Sequence, residues 1–326
     1  MPKSFHSAPM KKDLSATLSY TLKEEISEDN FVNFNVGPSG EVYVLLAVNT
    51  LDYRTENDGA ASFAKIVPEK PQHYRVLVYR KGELELDVAI RGERFNIHEI
   101  QPLGNDLLLV CSRSEYRGRQ DFDLNARVYS RDGVFIRAFL IGDGIQTIQA
   151  THQGEIWTSY FDEGVFGNFG WSDPVGAAGL VAWDALGAKT YEYDAIGAPD
   201  SIVDCYALNV AGAEDVWCYY YTDFPLVRIH KKRVASTWTV PVSGSGAFAV
   251  HRDHVLFAGG YGKRDELLLV RLAANGASTL ADEFGLVGDD DMPVKLANTV
   301  GRGATLYVFS DAVLYEIDLA QFSRQG

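Results

Sequence analysis

The chain has 326 residues, 46% of them hydrophobic, with 17 Tyr, 17 Phe, 30 Gly and a formal charge of −14. This composition excludes a disordered chain, and the acidity argues against nucleic acid and anionic membrane as ligands, since both need a basic surface. No run approaches the roughly 18 apolar residues of a membrane span, and Met1–Tyr20 lacks the apolar core of an export signal, so a cytoplasmic location is expected.

In chain order, residues 1–12 are expected to be flexible, and the first alternating run is Ser15–Thr21. A local pattern then repeats, in which a turn of Gly or polar residues leads into an apolar strand. Its copies are Ser39-Gly40-Glu41-Val42-Tyr43, Gly104-Asn105-Asp106-Leu107-Leu108 and Gln153-Gly154-Glu155-Ile156-Trp157. They continue with Ala213-Glu214-Asp215-Val216-Trp217, Arg252-Asp253-His254-Val255-Leu256 and Gly303-Ala304-Thr305-Leu306-Tyr307.

Taking each copy as the turn between the first two strands of a four-stranded unit generates the rest. Inner strands begin near Phe31, Asn96, Gln146, Val203, Gly246 and Pro293. Outer strands fall at Glu83–Ala89, Val134–Leu140, Ala188–Tyr193, Arg233–Val240 and Ala277–Phe284. One unit therefore lacks its outer strand, and Ser15–Thr21 paired with Ala312–Ile317 supplies it. The pattern predicts an all-β, six-bladed β-propeller in one domain over 1–326, its last blade closed by the N-terminal strand. Cys111, Cys205 and Cys218 lie in predicted strands and read as buried thiols rather than a disulfide framework.

In such a blade, the loops after the second and outer strands share one face. The long loops Asn49–Gln72, Arg113–Asp123 and Asp162–Ala178 all belong to it, so binding is expected there, over blades one to three. Acidic residues gather on the same face: Glu28, Asp29, Asp143, Asp194, Asp200 and Asp289-Asp290-Asp291 between blades, and Asp52, Glu56, Asp58, Asp121 and others in the long loops.

Three groups of residues could carry chemistry. The stretch Tyr160–Asp173 interleaves Tyr160, Phe166, Phe169 and Trp171 with Gly and with Asp162, Glu163 and Asp173. These residues, with Arg117 and Arg119, would contact a protein or carbohydrate partner, or the aromatics would instead pack as a lid over the ring. Asn30, Glu99, Asp143, Asp200, Asp204 and Asp289–Asp291 sit where inner strands begin and could converge on Ca²⁺ or Mg²⁺, which favour hard oxygen ligands. A solvated acidic surface explains the same carboxylates. His251 and His254 flank a hairpin on the opposite face with no third ligand, and His98 lies on an inner strand.

The blade count and the acidic mouth resemble the six-bladed gluconolactonase and paraoxonase-like hydrolases. That resemblance implies a divalent cation at the channel mouth and a hydrolase or lactonase activity. The Glu, Asn and Asp ligand motifs of those families are not matched here, so no catalytic residue is carried over. Nucleophile-elbow, phosphate-loop, dinucleotide and zinc-protease motifs are absent. The favoured reading is a binding protein that uses its long-loop acidic face, and the alternative is a metal-dependent hydrolase.

Overall fold

The structure, a computed structural model, describes residues 12–15, 17–22, 26, 29–55, 62–197 and 199–324. Two short strands open the chain, β1 (Lys12–Ser15) and β2 (Thr17–Thr21). Blade one is β3–β6 (Asn30–Val36, Val42–Ala47, Gln72–Arg80, Glu83–Glu93). Blade two is β7 and β8 (Glu99–Leu103, Asp106–Val110) with β11 and β12 (Ala126–Tyr129, Phe135–Phe139). The small hairpin β9–β10 (Tyr116–Gly118, Asp121–Phe122) rises from the loop of blade two. Blade three is β13–β16 (Ile145–Ala150, Ile156–Tyr160, Leu180–Trp183, Lys189–Glu192) and blade four β17–β20 (Asp204–Val210, Asp215–Tyr221, Pro225–His230, Arg233–Thr239). Blade five is β21–β24 (Ala247–His251, His254–Ala258, Glu266–Leu272, Ser278–Val287) and blade six β25–β27 (Asn298–Arg302, Thr305–Ser310, Val313–Asp318) completed by β2.

Composition sets the place of each strand. The second strands are buried on both faces and read as continuous apolar runs, as in Val42–Ala47, while the outer strand Glu83–Glu93 is largely exposed. Neighbouring blades share apolar layers. Tyr43, Leu45 and Val76 of blade one pack with Ile100, Leu107 and Leu109 of blade two. Among the described residues no helix is long and apolar enough to cross a membrane.

Closure follows the expectation for Ser15–Thr21: β2 runs antiparallel to β27, from Thr17 opposite Glu316 to Thr21 opposite Val313. Tyr20 stacks on Tyr79 of blade one at 4.8 Å, and the fully buried Leu22 enters the seam between blades six and one. Not foreseen is β1, which pairs in parallel with β24 of blade five, Lys12 opposite Phe284 through Ser15 opposite Val287. The N-terminal segment thus spans two blades, and Lys12 is strand rather than part of a flexible leader. Residues 1–11, together with Glu28, Glu56 and Asp58, lie outside the described residues. A second difference is the inner strand of blade six, which begins at Asn298 and not near Pro293. The intervening chain is held back by a turn, with the Gly288 N–H on the Met292 carbonyl and a bridge from Val287 to Pro293.

The inner strand of every blade turns an unpaired edge toward the axis, and buried side chains satisfy it. Gln101 donates to the Val36 carbonyl of blade one and accepts from the Ala150 N–H of blade three. Asn35 donates to the Ile148 carbonyl at 3.0 Å. Gln149 accepts from the Val210 N–H of blade four at 2.7 Å and reaches across the axis to the Gly301 carbonyl of blade six at 2.9 Å. Asn209 holds the Phe248 carbonyl of blade five and both backbone groups of Gly303. Arg302 returns to the Ala150 carbonyl. Residue 301 must be glycine, because a Cβ there would lie 1.7 Å from the Phe248 carbonyl oxygen.

Two outcomes test this reading. Removing residues 1–21 opens edges in blades five and six and should lower the melting temperature by about 10 °C or more; a shift under about 2 °C would show the strands to be dispensable. Gln149→Ala strands backbone groups in blades four and six and should cost about 2–4 kcal/mol in urea unfolding, against about 0.5 kcal/mol or less for the exposed Gln153→Ala.

Candidate functional site

Inner strands begin on the long-loop face, so their first residues form the mouth of the ring. A cavity of about 240 Å³ opens there, lined by Asn33, Asn35, Glu99, Thr147, Tyr206 and Asn298 among others. Its floor is the belt of amides just described. A separate cavity lies at the other ends of the same strands, around Thr151, His152 and Arg302.

Glu99 is the chemically distinctive group in the mouth. Asn33 donates to one carboxyl oxygen at 2.9 Å, and Asn35 and Thr147 approach the other at 3.3 and 3.5 Å. Burial nevertheless dominates and pushes the Glu99 carboxyl up to about 8. Asp204, at the start of β17, is raised to about 6 by burial and by the nearby Asp162. His98, with its ring 4.9 Å from that of Tyr53, falls to about 4 through burial and the Arg113 charge, so it is neutral at pH 7. Its Nδ1 accepts the Ser112 N–H.

Over blades one to three the rim is organised around one buried guanidinium. Arg113 pairs with Asp143 at 2.9 Å and Glu163 at 2.5 Å, and lies over the rings of Phe169 (4.5 Å) and Phe161 (5.2 Å). Burial raises Asp143 to about 6 against the pull of Arg113. For Glu163 burial opposes ionisation, yet the Arg113 bond holds its carboxyl below the usual value. Glu163 sits on a short helix, α1 (Asp162–Phe166), inside the segment expected to be a long loop. The helix fits because Gly144 and Gly164 meet: a Cβ on Gly144 would lie 2.3 Å from the Gly164 nitrogen.

The expected binding residues therefore divide. Tyr160 is fully buried, with its hydroxyl on the Ile141 carbonyl, and Trp171 is only 9% exposed, with its indole N–H on the Ser114 carbonyl at 2.7 Å. Both side chains are turned inward, and Trp171 also packs against Tyr116. Phe169 is half-buried on Arg113, whereas Phe166 is 68% exposed. Asp162, Asp173 and Arg119 face solvent. Arg117 is held by Glu115, Asp121 and Asp123.

The four expected metal ligands are not brought together. Asp143 is committed to Arg113, Asp200 is exposed, and Asp204 and Glu99 belong to blades four and two. The Asn33 and Asn35 amides turn their nitrogens toward Glu99 and spend their oxygens on the N–H groups of Phe34 and Val36. A cation beside Glu99 would meet donors, so the residues present do not fit Ca²⁺ or Mg²⁺. Among the described residues no group of three or more His, Cys, Asp or Glu side chains forms a metal cluster. Asn30 bonds the Asn49 carbonyl, and Asp289–Asp291 form an exposed turn. His254 lies beside Asp253 at 3.0 Å on its hairpin, opposite His251.

The sequence reading missed the mouth amides and three apolar side chains on this face. Phe63, Tyr261 and Met292 are each 62% exposed, in the loops of blade one, blade five and the connection between blades five and six. Lone apolar residues inside polar loops were their only signal.

A model of the YxzG family matches residues 177–317, under half of the chain. No curated protein matches. Among solved structures, the chain is similar to one in the mitotic checkpoint complex at 9% identity and TM-score 0.50, with 97% of this chain and 96% of that chain covered. It is also similar to the WD40 repeats of RRP9 (9% identity, TM-score 0.49, 89% and 94% covered). Virginiamycin B lyase from Staphylococcus aureus matches at 10% identity and TM-score 0.46, again over 89% and 94%. At these identities the likeness concerns the propeller scaffold.

The carboxyl at the mouth gives a pH test. From about pH 4.5 to 8 the unfolded chain releases the Glu99 proton while the folded chain keeps it, so Glu99 makes stability fall as pH rises through that window. Glu99→Gln removes this slope. The melting temperature of the variant relative to the parent should rise by several degrees between pH 5 and pH 8; a constant difference would contradict the raised carboxyl.

Proposed function

We propose that this propeller is a protein-binding module that grips its partner with the long-loop face. The observation that carries the reading is the set of exposed apolar side chains there. Phe63, Phe166, Tyr261 and Met292 stand on loops of blades one, three and five and the connection leading to blade six. Large apolar groups left in water favour burial against a partner, and three of these four are aromatic, whereas Val134 and Leu186, exposed in hairpins of the opposite face, are aliphatic. Their spread around the ring suits a protein-sized surface better than a sugar. The exposed carboxylates between them, Asp162, Asp173, Asp200 and Asp289–Asp291, would favour a partner with a basic rim.

Rigidity supports the same reading. The Arg113 pairs and the glycine contact fix α1, so Phe166 is presented with little ordering left to do on binding. The fold shared with a chain of the mitotic checkpoint complex supports the reading at the level of the scaffold alone.

The test compares the two faces. Phe166→Asp with Tyr261→Asp should abolish recovery of the partner set captured by the parent, identified by crosslinking and mass spectrometry. Val134→Asp with Leu186→Asp, exposed apolar positions in hairpins of the opposite face, should leave that set intact. The reverse pattern would reassign the binding face.

A further inference from the structure

Ion pairing leaves two cations over on the outer flank between blades one and two. The outer strand β6 has a bulge where it pairs with Gln72 and Tyr74, and Gly92 takes φ +68° there. Alternation beyond Ile90 is broken, so Glu93 turns inward while Arg91 and Arg94 both face solvent. Glu93 is consumed inside. Its carboxylate takes Arg127 at 2.5 Å, the Tyr129 hydroxyl, and the N–H groups of Arg94 and Phe95 at 2.7 and 2.9 Å. Arg127 is in turn held over Phe95 and Phe135, at 5.1 and 4.6 Å from the ring centres.

Arg91 and Arg94 have no acidic partner among the described residues. They line a groove of about 910 Å³ whose other walls include Val67, Phe122, Leu124 and Phe135. One end is fixed, because the hairpin of blade two is pinned on blade one: a Cβ on Gly133 would come within 2.3 Å of the Ala89 carbonyl oxygen. Unpaired arginines beside exposed apolar side chains stand out on a chain of charge −14.

We propose that this flank groove binds an extended acidic segment of a partner protein, its carboxylates on Arg91 and Arg94 and an apolar side chain against Leu124 and Phe135. The groove borders the long-loop face at Val67 and Phe122, but its two arginines belong to β6 and the chain just after it, and the proposal does not rest on the function proposed for that face. Apart from the Gly133 contact at Ala89, the outer edge of β6 has no neighbouring strand among the described residues, and an extended chain can add to an edge of that kind. Blade five shows that a flank of this ring accepts an additional strand, since β1 lies there. The chain's own residues 1–11 carry Lys3 and Lys11 and no acidic residue, so they do not complement the groove.

The probe is a fluorescein-labelled decapeptide rich in aspartate and glutamate with one central phenylalanine, followed by fluorescence anisotropy. The parent should bind it, and binding should weaken about tenfold or more in Arg91→Glu/Arg94→Glu and at about 0.5 M salt. Both arginines are exposed, so the melting temperature of the variant should match the parent's. A peptide with lysine in place of the acids should not bind. Phe166→Asp should retain peptide binding, which separates failure here from failure of the long-loop face. Absent binding to the parent, equal binding to the double variant, or equal competition by inorganic phosphate would overturn the proposal. So would a dimer in sedimentation that the double variant dissolves, because a second copy would then be the occupant.

Discussion

A ring of sheets has a problem that a barrel does not: every innermost strand ends in an edge of unpaired N–H and C=O groups, and all of these edges meet at one axis. Here four amides and one arginine answer it. Asn35, Gln101, Gln149 and Asn209 each offer a donor and an acceptor on a short stem, which is what a strand edge requires. Because each amide bonds to a blade other than its own, the belt both satisfies the edges and sets the distance between blades. Gln149 does most, linking blade three to its neighbour and to the blade opposite. The mouth cavity inherits this rigidity, since Asn35 belongs both to the belt and to the contacts of Glu99.

The rim depends on a second polar device. A guanidinium as buried as that of Arg113 needs full compensation, and it receives two carboxylates and two aromatic faces. The result is that a segment rich in glycine and aromatic residues does not stay loose. It folds inward at Tyr160 and Trp171 and leaves Phe166 outside. Burial thus sorts one aromatic run into packing and presentation, and the sorting follows from where Arg113 can find carboxylates.

Much of the ring was legible in the sequence because its signal is local. Six hairpin turns precede apolar strands, and Ser15–Thr21 alternates as an outer strand must. β1 was not legible, since Lys-Asp-Leu-Ser is too short to show a period and its parallel partner lies some 270 residues away. The belt left a faint trace: an amide followed by an apolar residue near the end of an inner strand, at Asn35-Val36, Gln149-Ala150 and Asn209-Val210. It was unreadable alone because such amides are equally at home on a solvated surface. The site was read least well. The carboxylates grouped by sequence as metal ligands were separated by specific partners, Arg113 above all, and pairing across long loops leaves no periodic mark.

The strand that completes blade six also dictates a timetable. On a ribosome, β2 emerges long before the strand it must pair with, Val313–Asp318. At about 5–20 residues per second, the early segment waits roughly 15–60 s with its hydrogen-bonding groups and Tyr20 unclaimed. Five blades can assemble vectorially during that interval, but the circle cannot. Its final act is a long-range encounter, slow by the entropy of joining distant parts of a chain, and in that interval the half-made ring is most open to capture by other nascent strands.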